Sequence, residues 1–148
     1  MTTTMPATVK DAAAAIRKDL KAAFPAVKFS VRVGTGTGRT WIDVEWTDGP
    51  DDDMVRDITD RYVQRPVEDV FRERRLSVPV LLAAQDLART VVPDLTAYDA
   101  DGKWIADGPG ECPVFYLRGW RFGGGALYPA LAWVADLLIL NPRKGPAA

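Results

Sequence analysis

The spacing of apolar residues at the start of the chain predicts an amphipathic helix. From Thr8 to Phe24, apolar residues recur every three or four positions, which is typical of a helix that buries one side. Thr8 is a suitable N-cap, and Pro25 ends the helix. An adjoining face of this helix carries basic side chains: Lys10, Arg17, Lys18 and Lys21.

Two strictly alternating segments follow this helix. Residues Val27–Val33 and Arg39–Thr47 alternate apolar and polar positions, and Gly34–Gly38 separates them. Such a pattern predicts an antiparallel β-hairpin. The inward side chains are expected to be Val27, Phe29, Val31, Val33, Ile42, Val44 and Trp46. The outward ones are expected to be Lys28, Ser30, Arg32, Trp41, Asp43 and Glu45, with basic side chains of the first strand facing the acids of the second.

A second helix is predicted after the hairpin. Asp48 is a plausible N-cap, and Asp51–Asp53 would lie at the positive end of the helix dipole. Its apolar stripe is Met54, Val55, Ile58 and Tyr62. Two helices covering one face of the hairpin would form a core, with these residues buried: Ile16, Leu20, Phe29, Val31, Ile42, Val44, Trp46, Ile58 and Tyr62.

The fold class predicted from these elements is α+β. Residues 1–64 would form an α-β-β-α unit, and Arg65-Pro66 marks the boundary. Residues 65–148 would form a mixed helix and strand half, either separate from the first unit or continuous with it.

The second half is predicted to begin with a short charged helix over Val67–Leu76. A stronger helix follows over Ser77–Val92, then a turn over Tyr98–Trp104 and a strand over Pro113–Phe122. The inward side of the stronger helix is expected to be Leu81, Leu82, Ala84, Leu87, Ala88 and Val91.

The apolar segment Leu127–Leu140 closes the second half. Its first part favours a helix, whereas Leu137–Leu140 fits either a helix or a buried strand. The most apolar run, Ala126–Leu140, contains Pro129 and Asp136 and is too short to cross a bilayer, so no membrane partner is expected. Association of this run with a membrane surface is the weakest of the functional hypotheses.

The amino-acid composition excludes several kinds of catalytic and metal-binding site. The 148 residues include no histidine and a single cysteine, Cys112, which excludes histidine-dependent catalysis, histidine metal sites and an internal disulfide. Basic and acidic residues number 19 and 20, so bulk electrostatic attraction to nucleic acid or to membranes is not expected. The N-terminus lacks the pattern of a signal peptide, which predicts a cytoplasmic protein of a bacterial host cell.

The first half resembles the large polyvalent-protein-associated domains of phages and conjugative elements, over residues 8–64. The similar segments are Ala15–Pro25, Val27–Val33, Trp41–Pro50 and Val55–Tyr62, of which Ile42–Pro50 is the most specific. The resemblance implies a mobile-element setting and a binding or accessory role, with counter-defence or DNA transfer as candidates. It implies no catalytic residues.

Three groups of residues suggest chemistry but have simpler explanations. Asp99, Asp101, Asp107 and Glu111 suggest a calcium loop, but their spacing fits a hairpin turn better. Gly34–Gly38 suggests a phosphate cradle, but it joins two strands and no Lys-Ser/Thr pair follows. Asp43 and Glu45 suggest an acid–base pair, but they face basic neighbours. We therefore expect no metal, no cofactor and no catalytic residue.

The candidate site is a partner-binding surface. It combines basic residues and one outward tryptophan: Lys10, Arg17, Lys21, Lys28, Arg32, Arg39 and Trp41. Because Asp43 and Glu45 dilute the positive charge, a protein partner is expected in preference to nucleic acid. One alternative is a histidine-independent hydrolase or transferase. Another is that Trp41 only lies over the aliphatic stems of its neighbours, or that residues 67–148 fold back and bury it.

Overall fold

The computed structural model describes residues 6–106 and 111–142. The chain divides into two compact units between Arg75 and Leu76, and each unit is described separately below. The first unit therefore continues past residue 64, where the sequence places a boundary.

The first unit contains two α-helices and a three-stranded sheet. Its elements are α1 (Val9–Ala23), β1 (Ser30–Val33), β2 (Trp41–Thr47), α2 (Asp52–Thr59) and β3 (Asp69–Arg75). The strand order is β1-β2-β3, with β1 and β2 antiparallel and β2 and β3 parallel. Parallel neighbours need a crossover, and α2 supplies it between β2 and β3. The α+β class and the helix–strand–strand–helix order are confirmed.

The helices bury one face of the sheet. Eight of the nine residues expected in this core are buried, and Ile16, Leu20, Ile42 and Val44 are completely inaccessible. Phe29 is half-buried instead, because β1 begins at Ser30 and leaves Phe29 in the preceding segment. Its ring still contacts the rings of Phe24 and Trp46 at centroid distances of 6.1 and 5.7 Å.

The helix predicted over Val67–Leu76 is wrong, since Asp69–Arg75 is strand β3. The alternation of apolar and polar residues is not visible in this strand, because Arg72 and Arg74 occupy inward positions. Val70 is buried on the inner face, whereas Arg72 is half-buried and reaches out to Asp52, with 2.8 Å between Nε and Oδ1. Arg72 thus occupies a position where an alternating strand normally has an apolar residue, and its ion pair with Asp52 lies at the margin of the sheet.

The start of α2 also differs from the prediction. Asp51, not Asp48, is the N-cap, and its carboxylate accepts a hydrogen bond from the Met54 N–H at 2.9 Å. Asp48 has a positive φ of 57° and donates its N–H to the Arg75 carbonyl at 2.7 Å. Met54 is 42% exposed, so its place in the buried stripe was wrong, whereas Val55, Ile58 and Tyr62 are buried as expected.

The second unit has short strands packed with helices. Its elements are α3 (Val78–Arg89), β4 (Glu111–Cys112), β5 (Phe115–Leu117), β6 (Trp120–Phe122), β7 (Gly125–Ala126), α4 (Leu127–Val134) and a π-helix (Ala135–Leu140). Two antiparallel pairs form, β4 with β7 and β5 with β6. The open choice for Leu137–Leu140 is thereby decided in favour of a helix.

Two predictions for the second unit need correction. The single strand expected over Pro113–Phe122 is a hairpin, because Arg118 and Gly119 both adopt positive φ, 50° and 84°, and reverse the chain. Val91 is 46% exposed because α3 ends at Arg89 and Val91 lies beyond it. Leu81, Ala84 and Ala88 are buried as expected, and Leu82 and Leu87 are half-buried.

None of the helices in residues 6–106 and 111–142 combines the length and the apolar character that crossing a membrane requires.

Candidate partner-binding surfaces

The outer face of the first unit's sheet carries two exposed aromatic rings. Side chains alternate between faces along a strand, so Trp41 on β2 and Phe71 on β3 both point away from α1 and α2. Their rings meet edge to face, with centroids 5.4 Å apart and an interplanar angle of 83°. They are 40% and 46% exposed. We call Trp41 and Phe71 the aromatic pair.

The turn between β1 and β2 positions the Trp41 ring. Gly34 donates its N–H to the Trp41 carbonyl at 2.9 Å, and a 3₁₀ turn follows over Gly36–Gly38. Gly38 is buried against the indole, since a Cβ at this position would lie 3.1 Å from Trp41 Cε3. Trp41 therefore packs against the backbone of Gly38 and the ring of Phe71.

Sequence reasoning missed Phe71 because the segment around it was interpreted as a helix. On a helix, Phe71 has no defined relation to Trp41. As part of a parallel strand, Phe71 lies opposite Asp43, one step diagonally from Trp41. The available signal was Phe71 itself, a large apolar residue inside the charged segment Asp69–Arg75.

Charges of both signs surround the aromatic pair on the outer face. Arg32 and Glu45 form the expected cross-strand ion pair at 3.3 Å, and Glu73 and Arg75 approach to 3.7 Å on β3. Asp43 is also exposed on this face, opposite Arg32 on β1 and Phe71 on β3. Such exposed pairs contribute little to stability, typically about 0–1 kcal/mol each. Their mixed sign gives the face a character that suits a protein surface better than a polyanion.

Three other predicted residues come together at a different place. Arg17, Lys21 and Lys28 line an open cleft of about 340 Å³ between the end of α1 and the segment 25–29. Arg17 donates from its guanidinium to the Val31 carbonyl at 2.7 Å. We call this the basic cleft. Lys28 also borders a neighbouring cleft of about 530 Å³, whose wall includes Glu45, Asp48 and Arg75.

The remaining predicted residues lie outside both clefts. Lys10 is exposed in the first turn of α1, and Arg39 is exposed directly after the 3₁₀ turn, two residues before Trp41. Six of the seven candidates thus belong to two groups of the first unit, and Lys10 belongs to neither. One group surrounds the aromatic pair and includes Arg32, and the other lines the basic cleft.

The acidic loop of the second unit serves as a turn. Asp99 Oδ1 accepts hydrogen bonds from the N–H groups of Asp101 and Lys103, both at 2.9 Å, and Tyr98 and Trp104 form an antiparallel bridge. This geometry supports the hairpin interpretation of the sequence. Asp107 lies outside the described residues. Within residues 6–106 and 111–142, no group of three or more acidic or cysteine side chains is arranged to hold a metal ion.

Buried groups with raised pKa values include Tyr62 and Cys112. Burial and a hydrogen bond from its hydroxyl to Asp19 raise the pKa of Tyr62 from 10.0 to about 12. Burial also raises the pKa of the Cys112 thiol. A raised pKa keeps the thiol protonated at neutral pH, and a protonated thiol is a poor nucleophile. Both groups therefore belong to the structural interior.

The second unit has an apolar cleft of about 460 Å³. Its lining is mainly aromatic and aliphatic, including Trp120, Phe122, Trp133 and Leu137 with Arg121 beside them. Trp133 is 58% exposed. The sequence did not predict this cleft, because the cleft depends on the β5–β6 hairpin, where a single strand was expected, lying beside α4.

The first unit and nearly all of α3 match a known family. The model for large polyvalent protein associated domain 29 matches residues 7–88, more than half of the chain. The match extends past residue 64, where the resemblance in the sequence ends, and it includes β3. Neither the curated proteins nor the solved structures gave a match. The chain belongs to the family of large polyvalent protein associated domain 29, and this family indicates a protein associated with phages or other mobile genetic elements.

Proposed function

We propose that the protein is a non-enzymatic binding protein of a phage or mobile element, and that the outer sheet face of the first unit contacts a partner protein in the bacterial cytoplasm. The observation that carries this proposal is the aromatic pair. Trp41 and Phe71 form a supported apolar contact that remains 40% and 46% exposed. Aromatic residues in such positions are enriched at protein interfaces and often dominate their binding energy.

The charges around the pair favour protein over nucleic acid as the partner. Asp43, Glu45 and Glu73 lie on the same face as Trp41, and they would repel phosphates. Arg32 is already engaged with Glu45. A partner with its own mixed charges can match this face, whereas a nucleic acid backbone needs an excess of positive charge.

A binding role also accounts for the acidic residues better than catalysis does. Glu45 is paired with Arg32, and Asp99 accepts two backbone hydrogen bonds in a turn. Neither carboxylate is placed in a closed pocket where a catalytic acid or base would operate. A counter-defence or DNA-transfer role is the more specific form of the proposal, and the family's association with mobile elements supports it.

Affinity capture from host cells carrying the element, followed by titration with the recovered partner, tests the proposal. Trp41→Ala combined with Phe71→Ala should weaken binding at least about a hundredfold if the pair is the centre of the interface. A matched control is Tyr116→Ala combined with Trp133→Ala, because these aromatic residues of the second unit are 62% and 58% exposed. A partner that is lost with the control variant and retained by the Trp41/Phe71 variant would contradict the proposal.

The dependence of binding on salt separates the two partner classes. Binding through the outer face should weaken only slightly as salt increases, because its centre is apolar. If the recovered partner is a nucleic acid, each neutralised phosphate should contribute roughly one log unit of affinity per log unit of salt. A steep salt dependence would replace the protein-binding proposal with nucleic-acid binding.

A further inference from the structure

The basic cleft has an unusual charge distribution for a protein whose charges nearly cancel. Its lining consists of three cationic residues and four apolar or small ones: Arg17, Lys21, Lys28, Pro25, Ala26, Val27 and Phe29. Among the residues that the structure describes, no carboxylate lines it. Within residues 6–106 and 111–142, neither Lys21 nor Lys28 has an ion-pair partner. Three like charges that converge without compensation repel one another, and an anion bound among them would relieve that repulsion.

Arg17 is held in place before any ligand arrives. One terminal nitrogen of its guanidinium donates to the Val31 carbonyl at 2.7 Å. The antiparallel ladder explains why this carbonyl is accessible. Gly34 bonds to Trp41, and bonded pairs alternate along the ladder, so the polar backbone groups of Val31 point away from β2. The bond fixes the guanidinium and leaves its other N–H groups free to bind a carboxylate in the forked geometry that arginine favours.

We infer that the basic cleft binds acidic side chains of a polypeptide partner. This inference rests on the proposed protein-binding function and specifies the chemistry of the partner. The apolar wall of Pro25, Val27 and Phe29 can accommodate the methylene groups of glutamate beside the cations. The volume of about 340 Å³ suits one or two such side chains. The neighbouring cleft wall includes Glu45, Asp48 and Arg75. A peptide can place a neutral or oppositely charged residue beside each of these, whereas a phosphate backbone that continues past Lys28 carries the same charge at every step.

A fluorescein-labelled decaglutamate peptide, titrated with the full chain at low ionic strength, tests this inference. The test variant carries Arg17→Gln, Lys21→Gln and Lys28→Gln. The control variant removes the same charge at exposed positions elsewhere, through Arg61→Gln, Lys103→Gln and Arg118→Gln. The test variant should lose at least about tenfold in affinity relative to the wild type, and the control variant less than about threefold. Equal losses in both variants would overturn the inference, because bulk charge alone would then explain binding.

Two further measurements complete the experiment. Decathymidylate of the same length should bind more weakly than decaglutamate. Tighter binding of decathymidylate, lost in the test variant, would assign the cleft to nucleic acid and overturn the inference. Trp41→Ala should leave decaglutamate binding unchanged, so the basic cleft and the outer sheet face can fail independently. Circular dichroism of each variant confirms that the first unit is folded before its affinity is interpreted.

Discussion

Strand β2 carries two tryptophans that lie on opposite faces of the same sheet. Trp46 is 3% exposed, and its indole N–H donates to the Pro50 carbonyl at 2.9 Å. Trp41 is 40% exposed and contacts Phe71 and Gly38. The two residues have the same chemistry and lie five positions apart on one strand, so the pleat alone separates a core residue from a candidate recognition residue. The comparison shows that the register of β2, more than residue type, decides which tryptophan belongs to the core and which is exposed on the outer face.

The largest expected effect is the loss of the inner tryptophan. Trp46→Ala should lower the free energy of unfolding by about 3–5 kcal/mol, because it empties a buried site and leaves the Pro50 carbonyl with one partner fewer. Trp41→Ala should cost about 1 kcal/mol, since its ring is already partly in water. Urea denaturation of both variants measures the difference. Equal costs would show that the register of β2 is wrong.

The second unit extends the comparison to buried and exposed polar side chains. Buried Gln85 accepts from the N–H groups of Ala97 and Tyr98 at 2.7 and 2.8 Å, and donates to the Tyr98 carbonyl at 3.1 Å. Gln85→Leu should cost about 2–4 kcal/mol because these backbone groups lose their partner. Exposed Gln64 gives the control. Its amide donates to the Arg61 carbonyl at 3.1 Å at a water-accessible site, so Gln64→Leu should cost less than about 1 kcal/mol. A similar cost for the two changes in urea denaturation would mean that water reaches the Gln85 site.

The next effect is smaller and depends on pH. The pKa of Tyr62 is about 12 in the folded protein, above its ordinary value of 10.0. The neutral hydroxyl therefore contributes its full stability below pH 10, and this contribution is lost as the pH rises through 12. Tyr62→Phe should reduce the free energy of unfolding at neutral pH by about 1–2 kcal/mol, through loss of the bond to Asp19. The gap from the wild type should narrow above pH 10. A gap that stays constant between neutral and strongly alkaline pH would contradict the assigned pKa.

The smallest expected effect concerns the packing of Trp41 on the outer face of the sheet. Gly38→Ala places a Cβ about 3.1 Å from Trp41 Cε3, which is tight, but the exposed ring has room to shift. We expect a change in stability below about 1 kcal/mol and a measurable change in the fluorescence of Trp41. In the partner titration, this variant should bind more weakly than the wild type. Unchanged binding would show that the orientation of the Trp41 ring does not matter to the partner.

The sequence predicts those elements of the first unit in which apolar residues recur with one clear period. The period of three to four predicts α1, and the period of two predicts β2 and its inward residues Ile42, Val44 and Trp46. It does not predict β3, because Arg72 and Arg74 occupy positions that a buried strand normally fills with apolar residues. Once β3 is missed, so is the aromatic pair, since Phe71 reaches Trp41 only through strand pairing.

The candidate surfaces are likewise partly predictable. The basic residues and Trp41 can be selected by residue type and by the face they occupy. Their division into two groups cannot, because it depends on Arg17 reaching the Val31 carbonyl and on the path of residues 25–29 beside α1. In the second unit, Gln85 was missed because its partners lie more than ten residues away along the chain.

The alternation along β2 also bears on how this protein can evolve. Ile42, Val44 and Trp46 hold the fold, while Trp41, Asp43 and Glu45 between them face outward and contribute little to its stability. Surface substitutions such as those at Asp43 and Glu45 typically change stability by about 0.5 kcal/mol or less, and Trp41→Ala is expected to cost about 1 kcal/mol, against about 3–5 kcal/mol for Trp46→Ala. A gene carried by a mobile element meets new hosts repeatedly. Because the proposed recognition residues alternate with core residues, point mutations on the outer face could change the proposed specificity without first requiring compensation for lost stability.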